Sequence, residues 1–575
     1  MQNIYQQLTT TMKILFYGIN ARFTHVNLAL YSLRNYVNPV KHRYQLIEKT
    51  INDNVWDIVT EIAQLYPDVL CLSCYIWNQS HIKSILYDIK KILPKLIIVC
   101  GGPDISYNSM DWLIKYPSID YIIQGHGEKA FYELQESDFN YPAKLINTNN
   151  YSFSDILFPY RSEDFDMLKN RYIYYEASRG CPYKCTYCVS SISEQKLEYK
   201  PFHIVESEIK ALLKFKPIII KFIDRSFNAN NDMCLAIWKF IASLKTESKF
   251  HFEIHPMFLT QEQTKALKLF KPETIQIEVG IQTIHNKTLK LINREGNWFK
   301  IKQNILLLNK MTNIHLHFDM IAGLPGENIS DIVKTFSEVL KLSPHHFQVG
   351  FLKILPGTQI GIEADKWGYK YQENAPYRVF SNKKIKAQEM YIVEMAELAI
   401  DLVYNSGCFN SFLLFFINKI NYEFMYFASL GVFLKKNNIS KSNTDKKQLF
   451  QLVVEHLKTL NEGIDIEFTL DCLAYDWFRL QNTHYYPDFF EAKHCDDFKD
   501  KIYSFFKDYW QEHQQNRTKS KFKPKLKNAI FYTTSSFENN ERLLLGINGV
   551  VKVDKEIYNV VYAGNEANPV INCKM

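Results

Sequence analysis

The chain has 575 residues, a net charge of +7, and 46% hydrophobic and 15% aromatic residues. This length predicts three or four domains instead of one, and the apolar content excludes a wholly disordered chain. The positive charge is mild and spread along the chain, so a nucleic-acid partner is allowed but not favoured.

The cysteine content and the apolar stretches limit the cellular location. Eleven cysteines, an odd number without regular spacing, argue against a secreted disulfide scaffold and predict a reducing cytoplasm. No signal-peptide pattern opens the chain. The most apolar stretch, 411–434, is interrupted by Lys419, Asn421 and Glu423, so we expect a buried or amphipathic helix and no membrane partner.

The first part of the chain predicts a doubly wound, Rossmann-like α/β domain at 12–147, after a polar and flexible extension at 1–11. Apolar strand patterns alternate there with helical patterns, which indicates a parallel sheet with helices on both faces. The predicted strands are 13–18, 69–75, 96–100 and 121–123, and the predicted helices include 28–37 and 81–93.

Two glycine clusters lie where predicted strands of this domain end. Gly101 and Gly102 follow one strand, and Gly125 and Gly127 follow the next, directly before Glu128. Ligands of such folds bind beyond the carboxyl ends of the strands. Glycine, which lacks a Cβ, lets the backbone approach a ligand closely.

Cys71 and Cys74 form a CxxC within a predicted strand of the same domain. Successive side chains of a strand point to opposite faces, and no third or fourth ligand lies nearby in the sequence. We interpret both cysteines as packing residues, because buried strand cysteines are common.

A polar segment at 148–170 is expected to link this domain to a second βα region at 171–375. Strands are predicted at 218–223, 250–254, 274–279, 315–321 and 348–354, in addition to the strand that precedes Cys181. These are six βα units, which are too few for a complete eight-fold barrel.

The most specific motif of the chain is Cys181-Pro-Tyr-Lys-Cys185-Thr-Tyr187-Cys188, called here the cysteine loop. Its CxxxCxxC spacing can direct three thiolates at three corners of one [4Fe–4S] cluster, leaving one iron open. The alternative is three unconnected cysteines. The compact spacing and the glycine that precedes the motif argue against that alternative.

The cysteine loop resembles the signature of the radical S-adenosylmethionine (SAM) enzymes, including an aromatic residue, Tyr187, before the third cysteine. The resemblance implies a partial (β/α)6 barrel in which Cys181, Cys185 and Cys188 bind the cluster. It further implies that SAM chelates the open iron and is cleaved reductively to a 5′-deoxyadenosyl radical. A reductant such as flavodoxin or ferredoxin would be a partner.

Polar residues at the ends of the barrel strands are the candidate SAM contacts, because this edge of a barrel carries the active site. The resemblance assigns SAM binding to a set that includes Tyr187 and five strand-end residues: Asp224, Glu278, Gln282, Gly323 and Glu327. Arg294 is a further candidate for the SAM carboxylate, or a surface ion-pair residue. His255 could transfer a proton, but a lone strand-end histidine is more often structural.

The first domain resembles the cobalamin-binding domain that precedes many radical SAM cores. The similar segments are the run from Ser73 to Asn78, the Gly101-Gly102-Pro103 turn and the Gly125-His-Gly127-Glu128 turn. The alternative is a nucleotide-binding or empty flavodoxin-like domain. The usual Asp-x-His-x-x-Gly loop is incomplete around His25. We therefore favour a cobalamin whose lower face His25 does not ligate.

The rest of the chain, 376–575, predicts a mostly helical accessory domain with a small terminal sheet. Helical spacing of apolar residues covers 384–404, 411–435, 447–460 and 471–480, and short strands are expected at 529–534, 542–545, 550–553 and 558–562. A basic run at 516–527 could bind phosphate or RNA, but a solvated linker is favoured. Cys408, Cys472, Cys495 and Cys573 are isolated, which argues against a second cluster.

These resemblances imply a cobalamin-dependent radical SAM enzyme, a transferase that moves a methyl group from methylcobalamin to an unactivated carbon. Another radical SAM reaction, such as rearrangement, oxidation, or RNA or sulfur modification, is the first alternative. A non-enzymatic corrinoid or redox sensor is the second alternative.

Overall fold

The structure is a computed structural model. It describes residues 11–147, 152–192, 197–311, 313–417 and 422–460, residue 420, short pieces between 466 and 477, and three strands between 530 and 561. Two compact units are present: one comprises residues up to 345 and 349–390, and the other 346–348 and 391 onward. Most of the expected extension and the whole basic run lie outside the described residues.

A six-stranded sheet opens the first unit, with the strand order β2-β1-β3-β4-β5-β6 and parallel pairing throughout. This confirms the predicted doubly wound domain. The strands are β1 (Met12–Asn20), β2 (His42–Thr50), β3 (Val69–Ser73), β4 (Ile97–Gly101), β5 (Tyr121–Gln124) and β6 (Leu145–Asn147). The helices are α1 (Leu28–Arg34), α2 (Val55–Leu65), α3 (Gln79–Ile92), α4 (Pro103–Ser106), α5 (Ser109–Lys115) and α6 (Glu128–Glu136).

Alternation along β1 builds a core on each face of this sheet. Leu15 and Tyr17 pack on one face, and Ile14 and Phe16 pack on the other, all fully buried. The sequence analysis does not predict β2, because this edge strand alternates polar residues such as Arg43 with partly buried ones. An edge strand needs only one apolar face, so its sequence lacks the continuous apolar run of a central strand.

The CxxC of this domain is confirmed as part of the core. Cys71 lies in β3, and Cys74 follows that strand directly; the two side chains are 2% and 0% exposed. Both are free thiols.

A second six-stranded sheet follows, with the order β14-β13-β12-β11-β10-β7. The predicted six-unit partial barrel is confirmed. Its strands are β7 (Tyr172–Tyr175), β10 (Ile219–Phe222), β11 (Lys249–Ile254), β12 (Ile275–Gln282), β13 (Ile314–Ala322) and β14 (His346–Phe351), and β8 (Ser178–Arg179) and β9 (Glu198–Tyr199) form a small ribbon. The helices are α7 (Phe165–Leu168), α8 (Phe202–Leu213), α9 (Asn231–Ser243), α10 (Gln261–Leu267), α11 (Asn286–Leu291), α12 (Trp298–Asn309), α13 (Ile329–Leu340), α14 (Gln359–Ile362) and α15 (Ala364–Trp367).

The barrel strands have one apolar and one polar face. In β12, Ile275, Ile277 and Val279 are fully buried, whereas Gln276 and Glu278 between them are only partly buried. β13 alternates in the same way. The apolar face packs on the helix layer, so the polar side chains face the inside of the barrel.

The first unit ends with the ribbon of β15 (Lys370–Tyr371) and β16 (Val379–Ser381). Beyond it lie α16 (Ala387–Ala399), α17 (Asn410–Ile417), α18 (Glu423–Lys436) and α19 (Lys446–Lys458). The stretch predicted as one helix at 411–435 is two, α17 and α18. None of the described helices combines the length and apolarity needed to cross a bilayer.

A three-stranded antiparallel sheet lies near the end of the chain, in the order β17-β19-β18, and confirms the small terminal sheet. Its strands are β17 (Ile530–Thr533), β18 (Val550–Val553) and β19 (Glu556–Val561). The strand expected at 542–545 lies outside the described residues, as does most of the helix expected at 471–480.

Candidate functional site

The cysteine loop is held in place by two distant segments of the barrel. The Thr186 amide donates to the Ile292 carbonyl at 2.9 Å, and Asn293 Nδ2 donates to the Lys184 carbonyl at 2.9 Å. The Ile360 amide donates to the Thr186 carbonyl at 2.9 Å. These bonds hold the loop backbone on both sides of its middle cysteine.

The three cysteines share one partly buried neighbourhood. Cys185 is buried, and Cys181 and Cys188 are half-buried, all as free thiols. Burial raises the pKa of Cys181, and the charges of the other two cysteines raise it further. Arg294 opposes this effect at Cys185, where its Nη1 lies 3.8 Å from Sγ. Three thiols on one short loop, with a cation beside the middle one, match the donor set of a [4Fe–4S] cluster with one iron left open.

Aromatic rings line the cysteine loop. Tyr187 is close to Cys185, and burial raises the pKa of Tyr187. Tyr183 stacks on Phe258 with ring centroids 5.3 Å apart and also contacts His255 at 4.8 Å. Burial lowers the pKa of His255 to about 2, so this imidazole is neutral at physiological pH. His255 is therefore placed as a packing partner of Tyr183.

Asp224, at the end of β10, connects the strand ends to the segment before the cysteine loop. Its carboxylate accepts hydrogen bonds from the Ser178 hydroxyl and, at 3.2 Å, from the Ala177 amide. Burial raises the pKa of Asp224 to about 7. The contact with the SAM amino group implied by the resemblance stays a prediction.

The end of β12 is strained where the sequence predicts a SAM contact. Gln282 has a φ of +67°, and the pairing with β13 shifts between Gly280 and Gln282. A non-glycine residue in this conformation is uncommon and typical of functional sites. Arg294 Nη2 donates to the Gly280 carbonyl at 2.6 Å, so Arg294 joins this bulge to Cys185.

Glu327 and Gly323 hold the end of β13. Glu327 is 2% exposed and accepts a hydrogen bond from Thr283 Oγ1 at 2.5 Å, next to Gln282. Gly323 has a φ of +90°, and its carbonyl accepts from Tyr369 at 3.1 Å. Both residues thereby shape the two strand ends at which SAM binding is predicted.

Glu327→Gln is expected to remove a pH dependence of stability. Burial raises the pKa of Glu327 to about 7. The pKa of an unfolded glutamate is ~4.3, so this group stabilises the wild type fully at low pH. That contribution is lost as the pH rises from there to about 7. Glutamine still accepts the Thr283 hydrogen bond. Relative to wild type, the variant should gain up to about 3 kcal/mol in unfolding free energy at pH 8. Urea unfolding at pH 4.5 and 8 measures this difference, and parallel pH profiles would contradict it.

Glu278 contacts two histidines at the mouth of the barrel. Its Oε2 lies 3.1 Å from His251 Nε2 and 3.7 Å from His317 Nδ1, which belong to the neighbouring strands β11 and β13. Burial alone would raise the pKa of Glu278, but these histidines lower it to about 2. The contact of Glu278 with SAM stays a prediction.

A cavity of about 400 Å³ lies between the carboxyl ends of the first sheet and the segments that flank the cysteine loop. This volume lies in the ~300–1,000 Å³ range of ligand pockets. The six residues predicted for the first domain all line it: Ser73, Gly101, Gly102, Gly125, Gly127 and Glu128. Gly180 and Val189, which flank the cysteine loop, line the opposite side.

The glycines of the cavity fit a large ligand. Gly102 has a φ of +107°, and a Cβ there would lie 2.5 Å from the Cys74 carbonyl oxygen. Gly125 has a φ of +71°, and a Cβ there would meet open space. Apolar side chains such as Leu33 and Phe131 line the same cavity. The site therefore offers apolar walls and close backbone approach, which suit a corrin ring with amide side chains.

A buried ion pair joins the two domains at this cavity. Arg179, directly before Gly180, donates to both carboxylate oxygens of Glu128 at 3.1 and 3.2 Å and to Glu176 at 2.6 Å. Burial alone would raise the pKa of Glu128, but Arg179 lowers it. Glu128 thus fixes the segment that leads into the cysteine loop.

Arg179→Met is expected to destabilise the first unit by about 3–5 kcal/mol, because it leaves two carboxylates without their buried partner. Adding Glu128→Gln should restore part of this loss. Lys210→Met is the control, since Lys210 forms an exposed ion pair with Glu206 and should matter little. Urea denaturation of the variants measures the differences. Equal effects of Arg179→Met and Lys210→Met would contradict the expectation.

His25 does not line the cavity. Its Nδ1 lies 2.6 Å from the Tyr174 hydroxyl, and its ring packs near Tyr172. Asn27 caps helix α1, so His25 is a loop residue. The placement agrees with the interpretation that His25 is not a cobalt ligand.

Several residues of the site were not singled out from the sequence. Arg179, Lys200 and Arg225 line the cavity, and His251 and His317 contact Glu278. Polar residues at every second position of β11 and β13 were the available signal for the two histidines. The cations had no comparable signal, because their partners come from distant segments.

Comparisons with known proteins identify three regions of the chain. The B12 binding domain model matches residues 14–135, and the radical SAM superfamily model matches 175–339. A third model, described as a protein of unknown function (DUF4080), matches residues 365–553. The first two regions contain the cavity glycines and the cysteine loop.

Two curated relatives are methyltransferases. The chain is 23% identical over 398 residues to 2-(S-pantetheinyl)-carbapenam-3-carboxylate methyltransferase of Streptantibioticus cattleyicolor, covering 62% of this chain and 57% of that protein. It is 22% identical over 331 residues to the cobalamin-dependent radical SAM methyltransferase TokK of Streptomyces tokunonensis, covering 51% and 48%. The chain thus spans about half the length of these curated relatives.

The fold resembles a solved structure of the cobalamin-dependent SAM radical enzyme OxsB with aqua-cobalamin bound. The TM-score is 0.57 at 13% sequence identity, and the match covers 87% of this chain and 84% of that one. The likeness concerns the fold, whereas the two domain models concern the sequence. The chain therefore contains a B12 binding domain at 14–135 and a radical SAM domain at 175–339, and the cofactors that these two domains imply are a [4Fe–4S] cluster, S-adenosylmethionine and cobalamin.

Proposed function

We propose that this protein is an enzyme that methylates an unactivated carbon of its substrate by cobalamin-dependent radical SAM chemistry. One observation carries the proposal. The cavity that gathers the six predicted cobalamin residues also touches Gly180 and Val189, which flank Cys181 and Cys188 in the chain. Cofactors bound at these two places would lie next to each other, as a methyl transfer to a substrate radical requires.

Some residues of the proposed site hold the cofactors, and others exclude water from it. When bound, the cluster and SAM supply a 5′-deoxyadenosyl radical, and cobalamin supplies the methyl group. Cys181, Cys185 and Cys188 are the iron ligands. We assign the SAM contacts to the strand ends around Gln282, supported by its strained backbone. Tyr183 and Tyr187 cover the loop with apolar surface.

The supporting relatives are named as methyltransferases, and one of them is named for a small carbapenam substrate. Methyl transfer is for this reason the reaction that we favour over rearrangement, oxidation or RNA and sulfur modification. A low-potential reductant such as flavodoxin or ferredoxin is the expected electron donor, and we place the reaction in the cytoplasm.

Anaerobic reconstitution of the full chain with iron, sulfide and hydroxocobalamin tests the proposal. The expected protein retains about four irons and one corrinoid, and it forms 5′-deoxyadenosine from SAM after reduction. With methylcobalamin and the substrate, the methyl group should appear in the product. Retention of both cofactors without 5′-deoxyadenosine would favour a sensor. Failure to retain a corrinoid would exclude the methyl transfer and leave another radical SAM reaction.

A further inference from the structure

Three adjacent barrel strands bring a histidine, a glutamate and a second histidine together. His251 is on β11, Glu278 on β12 and His317 on β13, and Glu278 lies directly opposite His317 in the strand register. His251 lies opposite Gln276, so it is the diagonal neighbour of Glu278 on the same face. The three side chains therefore meet inside the partial barrel.

The spacing of their donor atoms fits ligands of one ion. His251 Nε2 and His317 Nδ1 lie 3.1 and 3.7 Å from Glu278 Oε2. One ligand atom from each of the three residues lies within 4.8 Å of the others. Ligands at about 2.1 Å from a metal lie roughly 3–3.5 Å apart. Two separations are already close to this spacing, and a rotation of one imidazole ring brings in the third.

Asp319 lies next to His317, at the ring nitrogen that does not face Glu278. It follows His317 by two residues on β13, and its Oδ1 lies 3.2 Å from His317 Nε2. A histidine that binds a metal through one ring nitrogen usually donates the other N–H to a carboxylate, which fixes the ring. The two atoms are close but are not in hydrogen-bond geometry. A small rotation of the His317 ring, with Nδ1 kept toward Glu278, would let Nε2–H donate to Asp319.

We propose that His251, Glu278 and His317 bind one divalent transition-metal ion of the Zn²⁺ type inside the barrel. Two imidazoles and one carboxylate form a common ligand set for Zn²⁺ and for other first-row ions. Glu278 and His317 keep 24% and 18% of their side-chain surface exposed, so water or a substrate oxygen can reach the remaining positions.

Acidic side chains surround this position. Glu253 and Asp319 lie beside Glu278, and burial together with the negative charge of Glu278 raises the pKa of both carboxyl groups. Lys221 of β10 also faces Glu278 and Glu253. The positive charge of an added ion would offset the repulsion among the three acidic groups. The inference concerns metal retention by the folded barrel and does not depend on the proposed reaction.

Zinc content of the reconstituted holoprotein tests the site. The protein is washed with a chelator, given one equivalent of Zn²⁺ and desalted, and Zn and Fe are counted by mass spectrometry. Wild type should retain about one zinc, and X-ray absorption should show only nitrogen and oxygen ligands at about 2.0–2.2 Å. His251→Ala and His317→Ala should each weaken zinc binding at least tenfold, and Asp319→Asn by about 10–100-fold.

His315→Ala is the matched control, because His315 lies on β13, two residues before His317, and is not in the proposed ligand set. It should keep the zinc. Unchanged iron and corrinoid contents show that each variant is folded. A wild type without zinc, a sulfur-ligated zinc, or equal zinc in a His251→Ala/His317→Ala double variant would overturn the site. If the wild type binds zinc but forms no 5′-deoxyadenosine, the result would instead count against the proposed function.

Discussion

Replacing Cys181, Cys185 or Cys188 by alanine is expected to remove the iron and to abolish SAM cleavage. In the proposed site, three thiolates hold a cluster that leaves one iron open, so the loss of any one leaves two ligands. Iron should fall from about four per chain to below about one. Formation of 5′-deoxyadenosine by the reduced protein should fall below detection, with corrinoid binding retained.

Cys234→Ala is the matched control for these variants. Cys234 lies in α9 of the same barrel, is a free thiol and is 1% exposed. Its replacement creates a small cavity and costs stability, but it should leave the iron content and the visible absorption of the cluster unchanged. If all four alanine variants kept the same iron, the cysteine loop would not be the cluster site. If all four lost it, general destabilisation would explain the result.

The fold was predictable from the sequence wherever both faces of a strand are buried. β3 and β4 read as uninterrupted apolar runs because both sheet faces carry helices. The edge strand β2 lacks such a run and was missed. The stretch 411–435 has helical spacing throughout, and the sequence contained no proline to indicate that α17 and α18 are separate helices.

The site was predictable where one short segment carries it. The cysteine spacing and the glycine turns are local, and the glycines meet at one cavity because parallel strands end at the same edge of the sheet. Partners such as Arg179 and Glu128, or His251 and Glu278, come from distant strands and helices. Their contacts depend on strand order and register, which local patterns do not specify. The positive φ of Gln282 could likewise not be predicted, because glutamine gives no local signal for this backbone conformation.

Gly125→Phe is expected to block cobalamin binding with little effect on the cluster. Gly125 lines the cavity, and a Cβ there meets no atom within 4 Å. A phenyl ring at this position would therefore occupy the space that the ligand needs. Corrinoid retained after reconstitution with hydroxocobalamin should fall at least tenfold. Iron content and 5′-deoxyadenosine formation should persist, because the cysteine loop lies on the opposite side of the cavity.

Two controls separate this blockage from backbone strain. Gly125 has a φ of +71°, so any side chain there costs roughly 1–2 kcal/mol. Gly125→Ala carries the same strain with little added volume and should keep most of the corrinoid. Gly407→Phe adds the same ring in the second unit, at a φ of +66° and also in open space, and should keep all of it. Equal corrinoid loss in Gly125→Ala and Gly125→Phe would mean that turn geometry, not the cavity, controls binding. Full retention in Gly125→Phe would place the cobalamin elsewhere.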